Sequence, residues 1–321
     1  MLSKDQLIAG RYQIIRRLGS GGQAMVYLVY DNHLRREFAL KEIVYNPSLH
    51  KGDLETSLRK EADIMNRLNH SALPRIIDII GGSRVIYVVM DYIQGETLAS
   101  LLQRRGRVSE GEVRRWISEL CSVLSYLHNS NPKIIYRDLK PSNIMIRTDG
   151  SLALIDFGAA REYKPMGMQD SINIGTQGYA APEQIAGNRQ TDARSDIYSL
   201  GVTMHYMLTG LDPCRSSSYL PPIRSVAPSV SMQMCKIVER CIQIDPEKRF
   251  ASCAQLAQEL SLNRRPVAEQ KQTPEGRQPI VVPVMESQRR PKSSAAAIIS
   301  IVVTVIMAVL SLLVWAIYAM N

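Results

Sequence analysis

The chain has 321 residues, of which 45% are hydrophobic and 21% charged, and its formal net charge is +9. These values are typical of a globular protein and argue against a disordered chain. Part of the positive charge is concentrated at the end, since residues 262–321 contain seven Lys or Arg and three Asp or Glu. The sequence has no zinc-ligand spacing, RNA-binding aromatic signature or basic recognition helix, so nucleic acid is not an expected partner. The five cysteines are an odd number without a CxxC pair, which predicts a reducing compartment with neither a disulfide framework nor a metal site.

The first part of the chain alternates in the manner of a sheet. Five strands are predicted, at 12–18, 24–32, 37–45, 76–82 and 84–93. Between the third and fourth strands, residues 54–69 have the apolar spacing of a helix, and Glu61 falls in the gap of the apolar stripe. A carboxylate on the buried face of a helix needs a partner, and Lys41 on the preceding strand is the expected one.

The second part of the chain is predicted to be mainly helical. After Gly95, apolar residues recur at spacings of three and four: Val113, Trp116, Ile117, Leu120, Leu124 and Leu127. Residues 143–156 predict a hairpin with Asp149-Gly150 at its turn, and the remainder to 262, including 196–208, is mostly helical. The expected fold class is α+β in two lobes, a small antiparallel sheet with one helix and then a larger helical body.

The last 60 residues differ in composition from the rest. Residues 263–294 are rich in Pro, Gln and charge and lack periodicity, which predicts a flexible linker. No charged residue occurs in 293–321, and about 20 apolar residues suffice to cross a bilayer, so a transmembrane helix is predicted at 295–319. Three basic residues precede it: Arg289, Arg290 and Lys292.

The basic cluster sets the expected orientation of this segment. By the positive-inside rule, the segment is a single-pass C-terminal anchor in the plasma membrane, and everything before it lies in the cytoplasm. The same cluster favours anionic membrane lipid as a partner. The segment could also pair two copies of the chain as a homodimer, although it contains no GxxxG motif.

The segment IIYRDLKPSNIM, residues 134–145, places charged and amide side chains among isoleucines. Asp138, Lys140 and Asn143 lie within six residues of one another there. A solvated loop does not need the flanking isoleucines, and a core strand does not tolerate unpaired charges. The pattern predicts a loop held by buried ends that presents polar groups to something that binds there.

Several motifs resemble those of protein kinases. They are LGSGGQAMVY at 18–27, FALK at 38–41, YRDLKPSN at 136–143, LIDFGAA at 154–160 and GTQGYAAPEQ at 175–184. On these motifs, residues 11–260 resemble a bacterial, eukaryotic-like (Hanks-type) serine/threonine protein kinase that is membrane-anchored, although Ala24 takes the place of the third loop glycine. The resemblance implies the bilobal protein-kinase fold over 8–262, with a small lobe near 8–92 and a large lobe near 93–262, followed by the linker and the transmembrane helix.

The resemblance also implies a site for ATP. The glycine-rich loop lets backbone N–H groups approach phosphate oxygens, which side chains would block. Lys41 would contact the α- and β-phosphates and pair with Glu61. Met90 would line the back of the adenine pocket, and the Asp91 carbonyl and Ile93 N–H would bond the purine edge. The residues expected to bind ATP are Leu18, Gly19, Gly21, Gly22, Val26, Ala39, Lys41, Glu61, Met90, Asp91 and Ile93.

The resemblance assigns the chemistry to two further motifs. Asp138 would accept or orient the proton of the substrate hydroxyl, and Lys140 would neutralise the γ-phosphate. Asn143 and Asp156 would hold Mg²⁺, or Mn²⁺ in its place. These groups are separated because the nucleophile, the migrating group and the metal occupy different positions in an in-line transfer.

Three residues are expected to regulate or complete the site: Arg137, Ser171 and Thr176. The motif GTQGYAAPEQ at 175–184 resembles the end of a kinase activation segment. Arg137 leaves a positive charge that a phosphate on this segment can neutralise, and autophosphorylation at Ser171 is the resulting hypothesis. Thr176 would bridge toward Asp138 and Lys140, a feature that points to Ser/Thr acceptors.

Two further residues are given structural roles. Glu183 would pair with Arg249 in the larger lobe. Asp196 would either brace the backbone of residues 136–143, which resemble the catalytic loop of kinases, or cap a helix beginning at Ile197.

Two classes of function remain at this point. The first is an active ATP-dependent serine/threonine kinase with protein substrates, and the second is a catalytically silent, membrane-bound pseudokinase scaffold. Lys41, Asp138, Asn143 and Asp156 are all present and favour the enzyme, because a scaffold has no chemical need for them. A small-molecule phosphotransferase is disfavoured by the APE and DPEKRF segments.

Overall fold

A six-stranded antiparallel sheet forms the first part of the fold in the computed structural model. The structure describes residues 2–21, 24–44, 63–81, 85–157, 160–162, 175–186, 190–215, 219–261 and 280–281. The strands of the sheet are β1 Leu7–Ile8, β2 Tyr12–Gly21, β3 Ala24–Asp31, β4 Arg36–Val44, β5 Ile76–Gly81 and β6 Val85–Asp91. Their order is β1-β2-β3-β4-β6-β5. All five predicted strands are confirmed, and the short β1 is an addition at the edge.

The register of the sheet defines its two faces. Val26 is opposite Lys41, and Ala39 is opposite Met90. Since cross-strand partners and residues two apart share a face, these four residues lie on one face, called here the Lys41 face. The other face forms the apolar core of the lobe, which includes Tyr27, Val29, Phe38, Leu40 and Val89. Four of the residues expected to bind ATP therefore share one surface.

The larger lobe is helical, as predicted. Its helices are α1 Leu98–Arg105, α2 Glu110–His128, α3 Pro182–Ala186, α4 Ala193–Thr209, α5 Ile223–Val226, α6 Met232–Cys241 and α7 Cys253–Ser261. A capping box between Ser109 and Glu112 begins α2, and the predicted apolar stripe of this helix is buried. At Gly201 in α4, an added Cβ would lie 2.5 Å from the Cβ of Cys241, so the close packing of α4 on α6 requires glycine.

Short strands complete the larger lobe. β9 Ile144–Arg147 and β10 Leu152–Leu154 form the predicted hairpin, with Gly150 at φ +83° in its turn. β7 Gly95–Thr97 joins the same sheet beside β9. Two further pairs are β8 Ile134–Ile135 with β11 Arg161–Glu162, and β12 Tyr219–Leu220 with β13 Ile280–Val281. Because β8 and β9 bracket residues 136–143, both ends of the predicted ligand-binding loop are fixed.

Two predicted segments fall largely outside the described residues. Of the helix predicted at 54–69, residues 63–69 are described, and 63–66 are helical. The linker predicted at 263–294 is described only at β13, and the span predicted at 295–319 is not described. Within the described ranges, no helix combines the length and the apolarity needed to cross a membrane.

Candidate active site

The loop between β8 and β9 carries most of the predicted catalytic residues. Leu139 in this loop and Ile144, the first residue of β9, are fully buried. One turn of 3₁₀ helix, Pro141–Asn143, precedes β9. Asp138 and Lys140 are only half-buried. The apolar side chains anchor the backbone while the charged side chains stay accessible, as the alternation of the two types predicts.

The carboxylate of Asp138 is the centre of a hydrogen-bond cluster. Its Oδ1 accepts a bond of 2.7 Å from Oγ1 of Thr176, and its Oδ2 accepts one of 3.0 Å from Nδ2 of Asn143. Nζ of Lys140 lies 2.8 Å from Oδ2 and donates to Oγ1 of Thr176 at 2.5 Å. The predicted contacts of Thr176 are therefore present. Donors on both oxygens hold the carboxylate in one orientation.

A second ion pair joins the sheet to the larger lobe. Nζ of Lys41 in β4 lies 2.9 Å from Oδ1 of Asp156, which follows β10. The two side chains are 19% and 42% exposed, so a ligand can reach them. Asp156 has φ +69°, a conformation that costs free energy for a residue other than glycine. Among the described residues, Lys41 pairs with Asp156. Its expected partner, Glu61, lies outside them, and that pair stays a prediction.

Asp196 binds the backbone of the catalytic loop. Its two carboxylate oxygens accept the N–H groups of Tyr136 at 3.0 Å and Arg137 at 2.7 Å. The alternative, a helix cap, is wrong, because α4 begins at Ala193 and its cap is Asp192. The ring of His128 also lies 2.7 Å from Asp196, a contact that the sequence interpretation missed. The only signal for this contact in the sequence is that His128, a polar residue, ends the apolar stripe of α2.

Tyr136 connects the catalytic loop to the segment that carries Asp156. Its hydroxyl donates to the carbonyl of Ile155 at 2.5 Å, and its ring packs edge-on against Phe157 with centroids 5.1 Å apart. The N–H of Ile155 donates to the carbonyl of Asn143 at 2.9 Å. These contacts were not predicted. The available signal is a hydroxyl within an apolar stretch, since a buried tyrosine hydroxyl needs a partner.

Residues 175–186 close the site from the other side. Nε2 of Gln184, a buried residue, donates to the carbonyl of Arg137 at 2.9 Å. Gly175 has φ +108°, and a Cβ there would lie 2.8 Å from the Cβ of Ala180, so only glycine permits this approach. Neither residue follows from spacing, because each contact depends on segments that are distant in the chain. The predicted pair of Glu183 and Arg249 is present at 2.7 Å.

The remaining residues expected to bind ATP lie along the sheet and at its end. Leu18 and Gly19 occupy an irregularity of β2 opposite β3, and Gly21 ends β2. Asp91 ends β6, and Ile93 follows as a half-buried residue. Three predicted site residues lie outside the described residues: Gly22, Glu61 and Ser171.

The oxygens of Asn143 and Asp156 suit a hard cation. Asn143 donates through Nδ2 to both the carbonyl and the carboxylate of Asp138, so its amide oxygen is the end available to a metal. Asp156 offers an accessible carboxylate. Amide and carboxylate oxygens are the ligands that Mg²⁺ takes in phosphate sites, where substrate and water complete its shell. The donor set therefore fits Mg²⁺.

The sequence is similar to those of known protein kinases. Residues 12–261 match the protein kinase domain family. Serine/threonine-protein kinase PknA of Nostoc sp. is 34% identical over 278 residues, which cover 80% of this chain and 48% of that protein. Serine/threonine-protein kinase C of Synechocystis sp. is 33% identical, with coverage of 82% and 52%. Serine/threonine-protein kinase PknB of Mycolicibacterium smegmatis is 30% identical, with coverage of 81% and 44%. The chain spans about half the length of these relatives.

Proposed function

The chain belongs to the protein kinase domain family, and on that premise we propose that it transfers the γ-phosphate of ATP to serine and threonine hydroxyls of proteins. One observation carries the proposal. The carboxylate of Asp138 is held within 3.0 Å of Thr176, Lys140 and Asn143. A proton acceptor, a cation and an oxygen ligand for a metal therefore lie side by side, which is what phosphoryl transfer requires.

The proposed step is an in-line displacement at the γ-phosphorus. The substrate hydroxyl oxygen forms a bond to phosphorus, the bond from phosphorus to the bridging oxygen breaks, and ADP leaves with that electron pair. The hydroxyl proton passes to the carboxylate of Asp138, which Thr176 and Asn143 orient. Nζ of Lys140, 2.8 Å from that carboxylate, offsets charge on the migrating group.

The rest of the site would hold the nucleotide. The Lys41 face would cover the adenine and place Nζ of Lys41 on the α- and β-phosphates. Asn143 and Asp156 would hold Mg²⁺, which offsets phosphate charge when bound. Nζ of Lys41 and Oδ1 of Asp156 lie 2.9 Å apart, so the groups proposed to bind phosphate and metal are neighbours whose charges compensate each other.

The proposal is tested by phosphate transfer from ATP and Mg²⁺ to a generic basic protein. The full chain should be active, and Asp138→Asn should lose activity by about 10²- to 10⁴-fold, the usual contribution of a positioned base. Asp149→Asn, at the exposed turn of the β9–β10 hairpin, is the matched control and should keep activity. Equal transfer by Asp138→Asn would contradict the assigned base. An inactive wild-type chain would favour the pseudokinase scaffold.

We also propose control by phosphate on the activation segment. Arg137 is buried and directly precedes Asp138, and its backbone is fixed by Asp196 and Gln184, so it introduces a buried positive charge next to the proposed catalytic base. Autophosphorylation at Ser171 would supply the opposite charge. Mass spectrometry should find phosphate on Ser171 in the wild type and not in Asp138→Asn. Full activity of Ser171→Ala with no phosphate in its activation segment would remove this hypothesis.

We further propose that residues 295–319 tether the kinase domain to a membrane. The support is the absence of charge in 293–321 together with Arg289, Arg290 and Lys292 before it. The full chain should float with phosphatidylglycerol vesicles, and Val305→Arg with Leu310→Arg should not. Neutralising the three basic residues should reduce the preference for anionic over phosphatidylcholine vesicles. Unchanged flotation of the double arginine variant would contradict the tether.

A further inference from the structure

The side chain of Asp91, the last residue of β6, connects three strands. Its Oδ1 lies 3.0 Å from Nη2 of Arg36, which begins β4, and its Oδ2 lies 3.0 Å from Nε of Arg75, which precedes β5. The backbone N–H of Arg75 also donates to Oδ2 at 3.1 Å, and the N–H of Asp91 donates to the Arg75 carbonyl at 3.0 Å. These three residues are called here the Asp91 clamp.

The clamp has a mostly buried centre and an accessible rim. The side chain of Asp91 is 15% exposed, whereas those of Arg36 and Arg75 are 51% and 66% exposed. The guanidinium of Arg36 lies over the ring of Phe38 at 4.5 Å, and Phe38 is the cross-strand partner of Asp91. Burial raises the pKa of Asp91, but the hydrogen bonds from Arg75 outweigh burial and the pKa lies below its ordinary value. The carboxylate is therefore charged at neutral pH.

The position of the clamp along the chain indicates its purpose. Immediately after Asp91, residues 92–94 lead to β7 in the larger lobe. The resemblance to protein kinases implies that the carbonyl of Asp91 and the N–H of Ile93 bond the purine edge of ATP, and the proposed function includes this ATP site. Backbone groups used for recognition must be held by neighbouring contacts, because no side-chain packing of their own fixes their direction. The clamp supplies such contacts at one end of the connection.

We propose that Asp91 is a positioning residue. Its carboxylate, with Arg75 and Arg36, holds residues 91–93, which begin the connection from β6 to β7, in the conformation that binds the adenine of ATP. The inference deepens the proposed function and rests on it. A connection that is already ordered loses less conformational entropy when adenine binds, so affinity rises without a new contact. An ion pair that served stability alone would not distinguish the adenine end of ATP from the phosphate end.

Calorimetric titration of the full chain with two partial ligands tests the distinction. Adenosine probes the connection, and magnesium tripolyphosphate probes the phosphate end. Asp91→Asn and Arg75→Gln should each weaken adenosine binding about two- to fivefold, the range expected for an ion pair with an exposed arginine, and leave tripolyphosphate affinity unchanged. Arg75→Gln should also raise KM for ATP by the same factor with little change in kcat.

The matched control is Arg105→Gln, which breaks the exposed pair of Arg105 and Glu112 at 2.9 Å in the larger lobe and should change neither affinity. Unchanged adenosine affinity in folded Arg75→Gln, or an equal loss of both ligands, would overturn the inference. If Asp91→Asn does not fold, Arg36→Gln removes only the contact to Oδ1 of Asp91 and should still weaken adenosine binding. No adenosine binding by a wild type that transfers phosphate from ATP would overturn this inference alone, whereas adenosine binding without phosphate transfer would overturn the proposed function alone.

Discussion

Asp196 holds Arg137 in a left-handed backbone conformation. Oδ1 of Asp196 accepts the N–H of Arg137 at 2.7 Å, and Arg137 has φ +68°. Such a conformation costs about 1–3 kcal/mol for a residue other than glycine, so it persists only where surrounding contacts impose it. Because Arg137 precedes Asp138, the strained residue sets the direction in which the side chain of Asp138 leaves the backbone.

Replacing Asp196 with asparagine should therefore destabilise the protein and lower kcat. An amide offers one oxygen where two N–H groups and the ring of His128 now meet a carboxylate, and its NH₂ group would face a donor. Breaking a buried charged network typically costs about 3–5 kcal/mol. Urea unfolding gives the stability, and phosphate transfer gives kcat. Asp192→Asn is the control on the same helix, since asparagine caps as well as aspartate. Equal behaviour of the two variants would contradict the brace.

Removing Arg249 from its ion pair with Glu183 should destabilise the protein more than removing Glu183 does. Both side chains are buried, and the contacts are 2.7 Å and 2.8 Å. Arg249 also donates to three backbone carbonyls, so Arg249→Met leaves more groups unsatisfied than Glu183→Gln does. Arg249→Met is expected to lower the free energy of unfolding by about 3–5 kcal/mol, and Glu183→Gln by less.

Urea unfolding of both variants checks this order. Arg215→Gln, which removes an exposed partner of Asp212, should cost about 0–1 kcal/mol and serves as the control. A loss for Arg249→Met as small as that control would mean that the carbonyl contacts and the ion pair contribute little.

The longer elements of the fold were predictable because their signals are local. The alternation of 24–32 and 37–45 and the apolar stripe of α2 depend on residues that are close in the chain, and the structure confirms them. The pairing of β12 with β13 was not predictable, since a two-residue strand exists only through its partner. Pro283 argues against a central strand at 280–281, and a short pair at an edge is compatible with it.

The candidate site was predictable to the extent that its residues share one loop. The loop carries Asp138, Lys140 and Asn143 within six residues, so a tight turn is enough to bring their side chains together. The contact of Lys41 with Asp156 was not predictable, because it depends on how the two lobes meet. The contact of Gln184 with the loop was missed for the same reason. It joins segments 47 residues apart.

The hydroxyl of Thr176 should matter to catalysis more than to stability. It donates to Asp138 at 2.7 Å and accepts from Lys140 at 2.5 Å. Thr176→Val keeps the shape and removes both bonds, and hydrogen bonds to charged groups contribute about 1.5–3 kcal/mol. We expect kcat to fall about 10- to 100-fold, with a small change in melting temperature. Thr176→Ser keeps the hydroxyl and should retain most of kcat. Full activity of Thr176→Val, or a loss of activity in Thr176→Ser alone, would assign the role to the methyl group instead.

The pair of Asp31 and Arg11 should make stability depend on acid pH. Hydrogen bonds from the Arg11 guanidinium, at 2.7 Å and 3.0 Å, outweigh burial and lower the pKa of Asp31 from 3.8 to about 2. A lowered pKa in the folded state means that the contribution is complete above the unfolded value of 3.8 and is lost as the pH falls through about 2. Arg11 is partly exposed and solvent screens the pair, so the contribution is about 1 kcal/mol at neutral pH.

Asp31→Asn isolates this charge, because the amide oxygen can still accept the N–H groups of His33 and Leu34. Urea unfolding should find the variant less stable than the wild type at pH 6, with the difference shrinking as the pH falls from about 4 toward 2. Arg11→Gln should lose a similar amount, and the double variant should lose less than the sum of the two, since both remove the same pair. The contrary result is a difference in the free energy of unfolding between wild type and Asp31→Asn that stays constant from pH 6 to pH 3. It would assign the stability to the shape of the side chain, because a contribution from the charge of Asp31 must change over this range.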